Sequence, residues 1–301
     1  MVLYVSVVVP TRDRPALLAE ALASIRALEG PDVSLEILVA DNAPGRASAG
    51  AAAKYGARYL AVDAPGAAAA RNAGLRAASG EFIAFLDDDD VWLPGHLRPH
   101  LEALRSDDGL LGSVGQIANA DGALASHGPF WPAQWPVGGD AFRSFLRYYP
   151  QIGATVVRRA ARDRVGEFDE RLTYSQDWDW HLRLALAGPV RFLPVESILF
   201  RQREVGADDD LQWRRLAFVR RVYCRNVRRA GWRRAGGIAA AAPLFAHCGE
   251  FAAYFMKAAA EHEAKREVRR ALLRGIASSP AHVARDLVLG GPGRAALRRA
   301  V

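Results

Sequence analysis

The chain has 301 residues, half of them hydrophobic, which suffices for one large domain with a real core or for one domain plus a smaller appendage. Two cysteines, Cys224 and Cys248, outside any CxxC or Cys/His cluster, exclude a disulfide framework and point to a reducing cytoplasm. The net charge of +7 admits nucleic acid, acidic lipid or a phosphorylated small substrate, but the arginines crowd into the last third while the acidic clusters lie earlier.

The N-terminal segment lacks the basic start of a signal peptide, and its apolar run ends at once in Pro10 and charge. Residues 5–9 form a short β-branched run, as expected for a parallel strand covered on both faces. Residues 15–28 place Leu17, Leu18, Leu22 and Ile25 on one helical face. Residues 35–40 read as a second buried strand ending at Asp41, 46–54 as helix, 57–61 as a third strand and 66–78 as an alanine-rich helix. Residues 82–86 are a fourth strand, followed by Asp87-Asp88-Asp89-Asp90, and 94–105 are a further helix. This alternation predicts an α/β fold with a mostly parallel, Rossmann-like sheet. Residues 122–138, with three prolines and two tryptophans, read as a long aromatic loop. Mixed strand and helix return over 155–203. From about 207 the pattern is helical and basic, broken at Gly236-Gly237, Pro280 and Gly290-Gly291-Pro292-Gly293. The most apolar stretch, 237–256, is interrupted by Pro243, His247 and Glu250, which argues against a membrane span.

In an open α/β sheet, ligands bind beyond the carboxyl ends of the strands. Here those ends are Pro10-Thr11-Arg12-Asp13, Asp41 and Asp87–Asp90. Four adjacent carboxylates repel one another, and a hard divalent cation, Mg²⁺ or Mn²⁺, relieves that repulsion. A solvated charge run is the plainer alternative, weakened by the buried strand before it and Val91-Trp92 after it. The spacing does not suit a calcium loop. Asp41 suits the N3–H of a uracil or thymine ring, or simply a strand-end turn. Arg71 follows small residues that let a helix approach a ligand, and it suits a phosphate or a surface salt bridge. Asp177, near the start of a helix that carries Trp178 and Trp180, is either an N-cap or a general base, and core filling is the commoner fate of the tryptophans. Tyr254, Phe255 and Met256 read as core. No P-loop or GxGxxG is present, against an ATPase or a dinucleotide enzyme.

Five segments in order, 5–15, 39–42, 70–74, 80–92 and 176–179, closely resemble family 2 glycosyltransferases, and the resemblance covers roughly residues 3–204. It implies a GT-A fold over a catalytic domain of 1–204, and an inverting, hexosyltransferase-type transfer from a nucleoside-diphosphate sugar, UDP or dTDP by preference, to an acceptor hydroxyl. Pro10 and Thr11 would line the base pocket, with Asp13 on the same strand end. Asp41 would bind the base, and Arg71 the base edge or diphosphate. Asp87 and Asp88 would reach ribose and sugar. Asp89 would hold Mn²⁺ or Mg²⁺ as the last residue of a DxD motif, Asp177 would be the base, and Arg201 matches an arginine after the last sheet strand. Three departures stand out. Gln176 replaces a glutamate, and Asn42-Ala43-Pro44 replaces Asp-Gly-Ser. Arg203 stands where many members have a histidine near the metal, so that its cation could neutralise phosphate directly. A QxxRW processive signature is absent. A sugar nucleotidyltransferase would need a glycine- and lysine-rich loop that residues 10–16 lack. Residues 205–301, a basic helical region, could mediate dimerisation, lie on a membrane surface or cover the acceptor site. A basic binding module describes this tail rather than the protein, and nucleic acid is not the expected partner.

Overall fold

The structure is a computed structural model that describes residues 2–202, 209–261, 265–289 and 291–292. Arg203, Gly290 and Gly293, singled out in the sequence, lie outside the described residues. The chain divides into two compact units, Met1–Arg203 and Glu204–Val301.

The first unit opens with strand β1 (Leu3–Thr11), whose Val5, Val7, Val8 and Val9 are wholly buried. Helix α1 (Pro15–Arg26) starts on Pro15, whose missing N–H costs nothing in a first turn. It buries Leu18, Ala21, Leu22 and Ile25 against the sheet. There follow β2 (Val33–Asp41), α2 (Ala49–Lys54), β3 (Arg58–Ala61), α3 (Ala67–Ala77), β4 (Phe82–Phe85), β5 (Val91–Trp92), α4 (Leu97–Ser106), β6 (Gly112–Ala120), β7 (Ser126–Trp131), α5 (Ala141–Phe145), β8 (Thr155–Arg158), α6 (Ala160–Val165), α7 (Gln176–Ala187) and β9 (Val190–Arg201).

One sheet runs β3-β2-β1-β4-β8-β6-β9-β5, with β7 also on β6. Strands β1 to β4 pair in parallel, as the buried apolar runs require. The second half is mixed. Strands β8, β7 and β5 pair antiparallel with their neighbours, and β6 and β9 pair in parallel. The segment expected as a long aromatic loop contains β7, which the sequence hides because Ser126-His127-Gly128-Pro129 has no apolar alternation. Trp178 and Trp180 are core, their indole N–H groups donating to the Phe145 and Gly166 carbonyls at 2.6 and 3.0 Å.

Helix α3 lies against β1 through Gly74. A Cβ there would fall well inside contact distance of the Val8 side chain, which is β-branched and fixed in the central strand. Gly74→Ala should therefore destabilise the fold by about 1–3 kcal/mol. Thermal unfolding would read this as a lowered midpoint, and an unchanged midpoint would refute the close packing.

The second unit is helical: α8 (Asp209–Ala230), α9 (Trp232–Ala235), α10 (Ala241–Glu261), α11 (Lys265–Ser278) and α12 (Pro280–Leu289), with a 3-10 turn at Gly237–Ala240. Its core joins Ala252, Met256 and Ala259 to Val268, Ala271, Leu272 and Val283, and Phe255 is fully buried beside them.

Candidate active site

Strand register builds the site. Thr11 pairs with Asp41 across β1 and β2, and Val8 pairs with Phe85 across β1 and β4. Continuing that second register three residues on sets Thr11 beside Asp88. Its hydroxyl donates to Asp88 Oδ2 at 2.6 Å. Asp41, Thr11 and Asp88 thus stand in a row across three adjacent strand ends.

A cavity of about 340 Å³ opens over this row. It is lined by the β1 end (Pro10, Thr11, Arg12, Arg14), by Asn42, by the start of α3 (Gly66, Ala67, Ala70, Arg71) and by Asp87, Asp88 and Asp89. Gly66 precedes α3 with φ of 99°, a conformation that favours glycine, and as the N-cap residue it brings no side chain to cap the helix. The uncapped first-turn N–H groups and the helix dipole favour an anion there.

Arg71 is buried. Its Nη2 donates to Asp87 Oδ1 at 2.6 Å, and its Cζ lies 5.8 Å from the Phe168 ring centroid. Its Nε and Nη1 have no hydrogen-bond partner among the described residues. Burial works against its charge, but Asp87 and Asp177 together hold it firmly protonated. Asn72, the next residue, ties α3 to the segment before α7: its amide bonds the Phe168 carbonyl and Glu170 at 3.0 and 2.9 Å, and its oxygen accepts the Phe168 N–H at 2.8 Å.

Asp88 is fully buried, and burial pushes its carboxyl up to about 7 against the Thr11 bond and Arg14. Arg14 Nη2 lies 2.5 Å from Asp88 Oδ1 and its Nη1 lies 3.4 Å from Asp89 Oδ2. The first is an ion pair without hydrogen-bond alignment, since Asp88 Oδ1 accepts no hydrogen bond. Asp89 is raised by burial and by Asp87, and Asp90 well above the usual range by burial and the same neighbour.

Arg201 does not line the cavity. It is buried behind the acidic turn, where Nε donates to the Asp89 carbonyl at 2.8 Å, the backbone N–H donates to Asp90 Oδ1 at 2.9 Å and Nη2 pairs with Glu20 at 2.5 Å. Its Nη1 reaches the Gly122 carbonyl. Asp41 also lies below the lining: Oδ1 accepts the Ala43 N–H at 2.8 Å and Oδ2 accepts the Tyr59 hydroxyl at 2.9 Å. Asp13, exposed and left-handed at φ of 52°, does not line the cavity. Asp177, the second residue of α7, accepts the Trp178 N–H at 2.8 Å and also lies outside the lining. Burial raises its carboxyl against the pull of the Arg71 charge. Arg14, Tyr59 and Asn72 were not singled out from sequence. The signal for Arg14 was charge balance: four carboxylates on one strand end call for cations on the next.

Carboxylate oxygens suit Mg²⁺ or Mn²⁺, and the buried Asp88 Oδ1, which accepts no hydrogen bond among the described residues and is held by the Arg14 cation, could serve such a cation in place of Arg14. Among the described residues no three His, Cys, Asp or Glu side chains form a metal cage. The residues fit a cation that takes one or two carboxylates and completes its shell with phosphate oxygens and water.

Residues 6–165 match the family model described as Glycosyl transferase family 2. YwdF of Bacillus subtilis (strain 168), described as an uncharacterized glycosyltransferase, is 28% identical over 233 residues, covering 72% of this chain and 82% of that protein. S. aureus TarS 1–349 in complex with UDP-GlcNAc aligns with a TM-score of 0.61 at 15% identity, over 96% of this chain and 92% of that one. A longer TarS chain aligns at 0.55 and 18% identity over 73% of this chain, which spans only 39% of it. The mannosyltransferase PcManGT of Pyrobaculum calidifontis, solved with GDP-Man and Mn²⁺, aligns at 0.58 and 16% identity, over 99% of this chain and 79% of that one. The architecture that these structures share with the chain is the GT-A fold. The chain belongs to glycosyl transferase family 2, and it is a glycosyltransferase.

Proposed function

We propose that the enzyme moves a sugar from a nucleoside-diphosphate donor, a UDP- or dTDP-sugar, to an acceptor hydroxyl with inversion at the anomeric carbon. The observation that carries this reading is Arg71: a buried guanidinium with two unpartnered nitrogens, beside the uncapped start of α3 and the Asp87–Asp89 turn. Buried donors of that kind are costly unless an anion completes them, and a diphosphate does so bidentately. TarS and PcManGT, solved with UDP-GlcNAc and GDP-Man, support a nucleotide-sugar donor.

In this reading the base sits toward Pro10, Thr11 and Asn42, where Asp41, fixed by Tyr59 and the Ala43 N–H, keeps lone pairs for a ring N–H. Asp87 and Asp88 face ribose and sugar. Asp89, with Asp88 beside it, holds Mn²⁺ or Mg²⁺, which when bound offsets charge on the leaving diphosphate. Asp177 takes the proton of the acceptor hydroxyl as that oxygen attacks opposite the diphosphate, and its raised carboxyl makes it a stronger base than an exposed aspartate. Arg71 stabilises the charge growing on the diphosphate. Arg201 keeps the acidic turn in place from behind. Residues 1–204 form the donor-binding and catalytic part.

Calorimetric titration with UDP, dTDP and GDP, each with and without Mn²⁺, tests this. UDP or dTDP should bind more tightly than GDP, and Mn²⁺ should strengthen binding. No binding of any nucleotide would sink the reading, and tighter GDP binding would overturn the pyrimidine assignment.

A further inference from the structure

Between Asp210 and Glu250 the chain contains nine arginines and no acidic residue. This interval takes in nearly all of α8, the whole of α9 and the first part of α10. Its exposed side chains are of two kinds. Arg228, Arg229, Arg233 and Arg234 are exposed, and among them stands Trp232, itself 54% exposed. Immediately after come Ile238 at 87% and Phe245 at 68% exposure, with Ala239, Ala242 and Ala246 also exposed. Positions 238, 242 and 245–246 recur at helical spacing, so they form one uncharged outward stripe that stops at Glu250. Exposing two large apolar side chains and a tryptophan on one short segment costs free energy in water, and such patches mark contact surfaces.

We propose that Trp232, Ile238 and Phe245, flanked by Arg228, Arg233 and Arg234, form a docking surface for the face of an anionic lipid bilayer. The combination selects this partner. An apolar stripe bordered by arginines matches an interface where side chains enter the acyl boundary while guanidinium groups meet anionic headgroups, and a tryptophan between the two suits the headgroup level. A polyanion such as nucleic acid would use the arginines but leave the stripe in water. The segment Gly237–Glu261 is also long and apolar enough by composition to cross a membrane. However, the later half of α10 commits Ala252, Met256 and Ala259 to the core with α11 and α12, and crossing would dismantle that core. The surface is read as docking in the plane, not as spanning.

The full chain is mixed with vesicles of phosphatidylcholine alone, or of phosphatidylcholine with phosphatidylglycerol, and sedimented. It should bind the anionic vesicles, bind the neutral ones far more weakly, and be released by high salt. Ile238→Ser with Phe245→Ser, and separately Arg233→Gln with Arg234→Gln, should each weaken binding by roughly tenfold or more. UDP titration of the same variants should match the parent, since none of these residues lines the cavity. Equal binding to both vesicle types, or unchanged binding by both variants, would overturn the proposal. So would resistance to alkaline carbonate, which indicates a span, or a salt-stable dimer that the serine variant abolishes without any vesicle binding by the parent.

Discussion

Asp177→Asn should cut sugar transfer by roughly 10²–10⁴-fold while leaving nucleotide affinity at the parent value. The substitution keeps size and keeps an oxygen for the Trp178 N–H, so α7 should start as before. What it removes is the only function the proposal gives this side chain, acceptance of the acceptor's proton. Asp177 does not line the donor cavity, so UDP titration should barely change. Initial rates with a hydroxyl acceptor, measured beside calorimetric titration, separate the two. Near-normal turnover in the variant would remove Asp177 from the role of base.

The pH dependence follows from the same environment. A base must be ionised to act, and burial lifts Asp177 above the ordinary carboxylate range. Turnover should therefore fall as pH drops through that raised value, placing the acid limb above the pKa of a solvated aspartate. Stability runs the other way. A carboxyl raised in the folded state shows no difference below its unfolded pKa, where both states are protonated; the penalty builds as pH rises from that value to the folded pKa and is complete above it. Asp177→Asn should raise the thermal midpoint at neutral pH and lose that advantage in acid. An inactive variant whose stability gain grows from the pKa of a solvated aspartate up to the acid limb and holds above it is the mark of a functional carboxylate held at a cost. A simple helix cap would lose stability instead.

The parts of the fold that were legible in the sequence are those where one element alone decides. Strands β1, β2 and β4 are covered on both faces and so read as unbroken apolar runs, and α1 shows its buried stripe at Leu18, Leu22 and Ile25. The acidic turn was legible for the same reason, because Asp87–Asp90 is contiguous. Strand β7 was not, since its pairing with β6 rather than its own pattern makes it a strand. Nor was the clamp role of Arg201. The sequence places it after a strand, but only the pairing of β9 with β5 and β6 brings it behind Asp89 and Asp90. Arg14 and Tyr59 have the same history. Each supports a carboxylate tens of residues away, Asp88 and Asp41, and strand order rather than local spacing sets that meeting. In the proposed site the candidate reacting groups sit on short motifs, and the groups that hold them come from elsewhere in the chain.

Arg71 tests the other half of the proposed mechanism. Arg71→Met should weaken UDP binding by roughly ten- to hundredfold and lower kcat/KM by more, because the guanidinium meets the diphosphate in the ground state and meets more charge in the transition state. The same change strips Asp87, a partly exposed carboxylate, of its 2.6 Å partner and removes the cation that pulls against the raised Asp177 carboxyl, so it should also cost stability. Thermal unfolding must therefore accompany the kinetics, and Arg71→Lys supplies the control. Lysine keeps the charge but cannot span two phosphate oxygens with one planar group, so it should restore stability more fully than it restores kcat/KM. The coupling to Asp177 gives a signature that lost folding alone would not produce. Arg71 holds the Asp177 carboxyl down, so its removal should move the acid limb of residual activity to higher pH, and lysine should move it partly back. If UDP affinity and the acid limb both stay in place in Arg71→Met, the guanidinium contacts neither the diphosphate nor the base, and the donor-site assignment fails with it.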